Sequence, residues 1–203
     1  MEARMECALK EDDVPIVQRA VTALALEDPT DIMIEEVTLA QETGGMHPDS
    51  RMVLTRECAD DGSIAGPQST ATQPWLASLN HSAASAFPRV RQMLPQVRRT
   101  DVCEMYGPNC LDTWCRMGFR VIQRVRKEGQ EFFVWGADSP VRLLLAEREV
   151  LESAGTGAGW GWHLEATLVG PLNDASLERA ETAMRSICSA LGSVVDLKQP
   201  AKI

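Results

Sequence analysis

The segment RVIQRVRKEGQEFFVWGADSPVRLLLAERE, residues 120–149, decides the fold class of this sequence. It contains three runs rich in apolar, β-branched and aromatic residues, over 120–126, 130–135 and 141–149. A charged segment ending in glycine, 127–129, separates the first two runs, and 136–140 separates the last two. Such short links join antiparallel neighbours, because parallel strands need a long crossover connection. We therefore predict a three-stranded antiparallel meander.

The flanking sequence adds further strands and three helices. Residues 1–9 alternate between apolar and mostly charged side chains, which is typical of a strand with one charged face. Capping residues and helical spacing predict the helices. The predicted strands outside the meander are 1–9, 32–40, 51–56, 98–106, 162–169 and 194–197. The first predicted helix begins after a cap at Asp12-Asp13, with Pro15 in its first turn, and stops at Asp28-Pro29. The other predicted helices are 110–117, which ends at Gly118, and 174–191, which ends at Gly192.

The balance of elements predicts an α+β fold. Strands outnumber helices and most links have hairpin length, so we expect a largely antiparallel sheet with helices on one side. Closure removes exposed strand edges, and the prediction is therefore a sheet closed into a roughly eight-stranded β-barrel with flanking helices. The 203 residues suit a single barrel domain over 1–203. A segment rich in Ser, Thr, Gly and Pro predicts a flexible loop at about 60–74.

Composition disfavours several classes of function. The chain carries 29 acidic and 20 basic residues, a net charge of −9, which disfavours direct binding to nucleic acid. No apolar run reaches the ~18 residues of a membrane span, and residues 1–6 lack the apolar core of a signal peptide. We therefore expect a soluble intracellular protein without membrane contact. The six cysteines lack zinc-site spacing and predict six reduced, buried thiols, with neither a metal nor a cofactor.

Three glutamates are the strongest candidates for metal binding. Glu147 and Glu149 are two residues apart on a predicted strand and project to one face, and Glu165 lies on a later strand. Metal-dependent phosphate chemistry also needs inward-facing basic residues, and the chain has only four lysines. We interpret Glu147 and Glu149 as an outward charged face of their strand, with Glu165 as the third carboxylate only if the site binds metal. His163 has no Ser or Cys nucleophile pattern near it, so we assign no catalytic residue.

The aromatic run at 132–135 predicts a binding surface. On a strand, Phe132 and Val134 face one way while Phe133 and Trp135 face the other, so both faces must be covered. One face belongs to the core. For the other face two interpretations stay open, namely a helix of this chain or a helix of a partner docked on Phe133 and Trp135.

The segment LDTWCRMGFR, residues 111–120, followed by Gly129 and the strand EFFV at 131–134, resembles the Mediator complex subunit 18 family. In that family a short helix ends in Met-Gly-Phe-Arg, and a hairpin with a basic-glycine turn follows. Later elements agree in order, with a strand over 163–169, a helix containing 185–191 and a closing segment over 195–200.

The resemblance implies an antiparallel barrel that acts in the nucleus as a non-enzymatic scaffold of the Mediator head module, a transcription coactivator. It implies a heterodimer with Mediator subunit 20, binding to the C-terminal helix of Mediator subunit 8, and indirect contact with RNA polymerase II through other head subunits. The triphosphate tunnel enzymes share this barrel, so the alternative is a divergent metal-dependent tripolyphosphatase or RNA 5′-triphosphatase. Those enzymes begin with Glu-x-Glu-x-Lys, whereas this chain has Glu2, Arg4 and Glu6.

Overall fold

The computed structural model describes residues 1–41, 51–58, 74–82, 93, 95–107, 109–153, 160–171 and 173–199. These residues form eight strands and three α-helices. The strands are β1 (Glu2–Leu9), β2 (Thr30–Gln41), β3 (Arg51–Glu57), β4 (Trp75–Ser82), β5 (Gln96–Met105), β6 (Phe119–Gly136), β7 (Ser139–Ser153) and β8 (Trp160–Val169). The helices are α1 (Val14–Leu24), which follows one 3₁₀ turn, α2 (Cys110–Arg116) and α3 (Asp174–Leu191).

The eight strands close into a barrel in the order β1-β5-β4-β3-β2-β6-β7-β8. Every neighbouring pair is antiparallel. Closure pairs both sides of each strand, which removes the exposed edges of an open sheet. The predicted α+β fold, an antiparallel barrel with flanking helices, is confirmed.

The apolar core lies outside the barrel wall. Helices α1 and α3 cover a layer in which Phe132, Val134, Leu143 and Met184 are almost fully buried. Helix α2 covers a second layer, in which Trp114 and Phe119 meet edge to face at 5.1 Å between ring centroids. Side chains alternate across a strand, so these outward apolar positions leave the inward positions free to be polar.

Two predictions about the strands are wrong. Residues 127–129 form no turn but continue β6 through its 18 residues, because Lys127 is held by inward carboxylates and Gly129 fits against β7. A Cβ at Gly129 would lie 2.6 Å from the Cα of Ala146. The predicted strand at 194–197 is also absent, since only Lys198 makes an isolated bridge, to Glu6.

Of the smaller predictions, one is confirmed, one is wrong, and one lies almost wholly outside the described residues. The left-handed stop is confirmed at Gly118, where φ is 85°. The cysteines are free thiols, but the predicted burial of all six is wrong, because Cys103 and Cys115 are exposed. The predicted loop at 60–74 lies outside the described residues except for Pro74. In the part of the chain that the structure describes, no helix has the length and apolarity needed to cross a membrane.

Candidate functional site

The inside of the barrel is a polar cavity of about 910 Å³ to which all eight strands contribute. Because side chains alternate along a strand, the residues opposite the apolar layers point inward. Among the described residues that line the cavity, seven are cationic and five are carboxylates. The cations are Arg4, Arg51, Arg56, Arg98, Lys127, Arg142 and Arg148, and the carboxylates are Glu2, Glu6, Glu36, Glu57 and Glu165.

A connected ion-pair network occupies the middle of the cavity. The Nζ atom of Lys127 lies 2.7 Å from Glu165 and 3.0 Å from Glu36. The guanidinium of Arg4 forms an ion pair with the carboxylate of Glu165 at 2.9 Å and lies 3.6 Å from the carboxylate of Glu6. We name the set Arg4, Glu36, Lys127 and Glu165 the central network. It joins β1, β2, β6 and β8, and it therefore links distant parts of the barrel wall through charge.

The central network perturbs the pKa of its members. Burial alone would raise the pKa of Glu165, but Arg4 and Lys127 outweigh burial and hold that pKa at about 2. Burial likewise opposes ionisation of Glu36, whose pKa is lowered by Lys127 and Arg4. The pKa of Arg4 is raised, chiefly by Glu165 and against the effect of burial. Arg4, Glu36 and Glu165 are therefore charged at neutral pH.

Two other inward arginines make no direct ion pair among the described contacts. Burial and the nearby Arg4 lower the pKa of Arg98, and Glu2 and Glu36 counter part of that effect. The buried Nε atom of Arg148 has no hydrogen-bond partner, and Arg148 lowers the pKa of Glu165 from a distance. Arg142 forms an ion pair with Glu131. Arg56 likewise pairs with Glu35, so the other five cations of the cavity lining equal its five carboxylates in number.

The ion pairs of Glu36 and Glu165 suit a role in stabilising the barrel better than a role in coordinating a metal ion. Glu36 and Glu165 are already bound by Lys127 and Arg4, so a metal ion could use these carboxylates only by displacing buried cations. Within the described ranges, no group of three His, Cys, Asp or Glu side chains is close enough to hold one metal ion.

The structure does not bring the three sequence-predicted glutamates together. Glu147 and Glu149 point outward, where Glu147 accepts a hydrogen bond from Trp160 and Glu149 pairs with Arg126 at 2.6 Å. Glu165 points inward, on the opposite side of the wall. The outward interpretation is therefore confirmed for Glu147 and Glu149, and Glu165 does not lie with them as a third carboxylate.

Lysine count was the wrong measure of inward basic charge. Six of the seven cations that line the cavity are arginines, and Arg4 stands between two glutamates on β1. The alternation of Glu2, Arg4 and Glu6 is the sequence signal that could have located the network. His163 is half-buried in β8, and its Nδ1 lies 3.1 Å from the carbonyl oxygen of Gly161, in agreement with a sheet residue.

Phe133 and Trp135 lie at one mouth of the cavity. Phe132 and Val134 face outward into the layer under α1 and α3, so the predicted core face is confirmed. Phe133 is the cross-strand partner of Arg142, which lines the cavity, and it is half-buried. Trp135 is 55% exposed on the same inward-facing side of β6.

The chain is similar in structure to proteins of different functions. No protein-family model matches it, and no curated protein matches it significantly. A chain of the Schizosaccharomyces pombe Mediator head module matches with TM-score 0.67 and 14% identity, over 98% of each chain. The PH1819 protein of Pyrococcus horikoshii matches with TM-score 0.64 and 13% identity, over 99% of this chain and 95% of that one.

A third similar structure belongs to an enzyme. The Mimivirus capping enzyme triphosphatase matches with TM-score 0.51 and 7% identity, over 95% of this chain and 90% of that one. The sequence predicts a fold shared with the Mediator head subunit and with the triphosphate tunnel enzymes, and both structural similarities are confirmed. At these identities the likeness establishes the fold, and the side chains of the barrel must decide between the functions.

Proposed function

We propose that this chain is a non-enzymatic scaffold subunit of a Mediator head module that acts in the nucleus in regulation of RNA polymerase II transcription. The observation that carries the proposal is the match to the S. pombe Mediator head chain over 98% of both chains. The Met117 to Arg120 signature at the end of α2 supports the same assignment from sequence.

The chemistry of the cavity supports a scaffold role. A phosphohydrolase of this barrel type would need carboxylates free to hold a divalent ion. Here Glu36 and Glu165 are neutralised by Lys127 and Arg4 at 2.7 to 3.0 Å. Ion pairs in this position hold the barrel wall together and leave the residues at its mouth to contact partners.

The proposed partners are the counterparts of Mediator subunit 20, in a heterodimer, and the C-terminal helix of Mediator subunit 8. Other head subunits and RNA polymerase II would be reached indirectly, without direct contact to nucleic acid or a membrane. Within this chain, Phe133 and Trp135 are the residues proposed to touch a partner, because the exposed side of Trp135 is not covered by α1 or α3.

Co-expression tests the proposed assembly. The chain is produced with the subunit 20 and subunit 8 counterparts of its own source and analysed by size-exclusion chromatography with light scattering. We expect one complex with equal amounts of the three chains. Separate elution of this chain at its monomer mass of 22.3 kDa would contradict the proposal.

A divergent triphosphate tunnel phosphohydrolase is the second candidate. It is favoured by the inward Arg98 and Arg148, which make no ion pair among the described contacts, and by the fold match to the Mimivirus triphosphatase. Purified chain is incubated with tripolyphosphate and magnesium or manganese, and phosphate release is measured. The scaffold proposal expects no release above that of an Arg4→Gln/Lys127→Met variant. Release by the wild type that is lost in this double variant, while its far-ultraviolet circular dichroism stays unchanged, would establish the enzyme instead.

A further inference from the structure

One mouth of the barrel carries an arc of apolar side chains, all of them exposed except the half-buried Phe133. It consists of Leu26, Phe133, Trp135, Pro140 and Val169, which we name the mouth arc. Leu26 is 47% exposed, Trp135 55% and Val169 76%. Exposed apolar residues that stand singly need no explanation, but a contiguous group of them marks an interaction surface.

The strand register places these residues side by side. Ala25 bridges Val134, and the amide of Leu26 donates to the carbonyl of Phe133 at 2.8 Å, so Leu26 lies opposite Phe133. Trp135 is the cross-strand partner of Pro140.

Val169 completes the arc on β8. On β8, Val169 follows Thr167 by two residues. Arg142 is the cross-strand partner of Thr167 and follows Pro140 by two residues on β7, so the same antiparallel register brings Val169 next to Pro140. Thr167 and Arg142 line the cavity, so alternation puts Val169 and Pro140 on the same inward-facing side. The arc is therefore one surface that crosses four adjacent extended segments.

The rim of the mouth arc is acidic. Glu27 and Asp28 are exposed directly after Leu26, and Asp138 is exposed in the turn between Trp135 and Pro140. Glu2 is the cross-strand partner of Val169, but Arg98 lies opposite Glu2 on β5 and offsets its charge, so the acidity of the rim rests on Glu27, Asp28 and Asp138. Arg142 adds no net charge, because Glu131 pairs with it.

We propose that the mouth arc is a docking surface for a basic amphipathic helix of a partner protein. Four extended segments spaced about 4.8 Å apart span about 14 Å, which a helix of roughly ten residues covers at 1.5 Å per residue. Apolar residues at i, i+3, i+4 and i+7 would lie on the arc, and lysine or arginine on the flanks would meet the acidic rim. This inference deepens the proposed scaffold function and rests on it for the existence of a partner.

Titration with designed peptides tests the inference on the full chain. One probe is a helix-forming peptide of about 14 residues with leucine on one face and lysine on the other. The matched probe has glutamate in place of lysine. Binding is followed through the ¹⁵N-indole signals of the five tryptophans. We expect the Trp135 signal to move while the Trp160 signal stays, and the lysine peptide to bind at least tenfold more tightly.

Variants separate the arc from unspecific apolar contact. Trp135→Ala with Val169→Ser is expected to weaken binding of the lysine peptide at least tenfold. The matched control Trp160→Ala removes a tryptophan that is 65% exposed elsewhere on the barrel and should leave the affinity unchanged. Asp138→Lys should reduce the preference for lysine over glutamate. All of these positions are exposed, so unchanged far-ultraviolet circular dichroism is expected for each variant.

Two results would overturn the inference. One is equal affinity for the lysine and glutamate peptides, and the other is an equal loss of affinity in the Trp160→Ala control. If either occurs while the three-chain complex described above still forms, the docking surface is rejected and the proposed scaffold function stands. If the complex fails to form while the lysine peptide binds at the arc, the scaffold function is rejected and the docking surface stands.

Discussion

Substitution of Glu165 by glutamine tests the energetic role of the central network. The side chain keeps its size and loses its charge, which leaves Lys127 with Glu36 alone and Arg4 with Glu6 at 3.6 Å. Glu165 is 11% exposed, so little solvent screens these charges. Removal of one partner from a buried ion pair leaves the other charges uncompensated and is strongly destabilising.

The pKa of Glu165 sets the magnitude. It falls from the usual 4.5 to about 2 in the folded chain. Each pKa unit corresponds to about 1.4 kcal/mol, so the charged form contributes about 3 kcal/mol to the free energy of unfolding. Because the folded-state pKa is the lower one, this stabilisation is complete above pH 4.5 and is lost as the pH falls toward 2.

Urea unfolding of the wild type and of Glu165→Gln, measured between pH 7 and pH 3, provides the assay. We expect the variant to be less stable by about 3 kcal/mol at pH 7, with the difference shrinking below pH 4.5. Glu149→Gln is the matched control, because its partner Arg126 is more exposed, and it should cost less than about 1 kcal/mol. Wild-type stability in Glu165→Gln at pH 7, or a difference that does not change with pH, would refute the reasoning.

Three further substitutions test the packing and the caps. Gly129→Ala forces a Cβ against the backbone of β7 and should lower the free energy of unfolding by about 2 kcal/mol in urea; an unchanged midpoint contradicts the continuous β6 strand. Asn173→Ala removes the cap that accepts from the amide of Ser176 at 2.9 Å and should cost about 1 kcal/mol, whereas Asn173→Asp should restore it in thermal unfolding. Met184→Ala opens a cavity under α3 and should cost 2–5 kcal/mol by calorimetry, and a loss below about 1 kcal/mol would mean that α3 does not seal the core.

Local signals in the sequence were strong where one face of an element is apolar. The alternation over β1 and the capping pattern of α3 gave those elements correctly, because burial on one side imposes a period that the sequence displays. The sequence does not predict β4, because Trp75–Ser82 lies between segments without a clear period. The barrel itself followed from the number of strands and the need to pair their edges.

The central network could not be predicted from local patterns. Lys127 and Gly129 resemble a turn in sequence, and only contact with Glu36 and Glu165 from other strands explains why they remain extended and buried. Residues 194–197 resemble a strand because Val195 and Leu197 are apolar, but they fill the layer under α3 without a partner ladder. Long-range contact decided both cases against local propensity.

Membership in a Mediator head module is tested most directly by affinity purification of the tagged chain from nuclear extract of its own source, followed by quantitative mass spectrometry. The scaffold function predicts recovery of Mediator head subunits, with the subunit 20 and subunit 8 counterparts in amounts near that of the tagged chain. Recovery of the chain alone, or with proteins unrelated to Mediator, would contradict it.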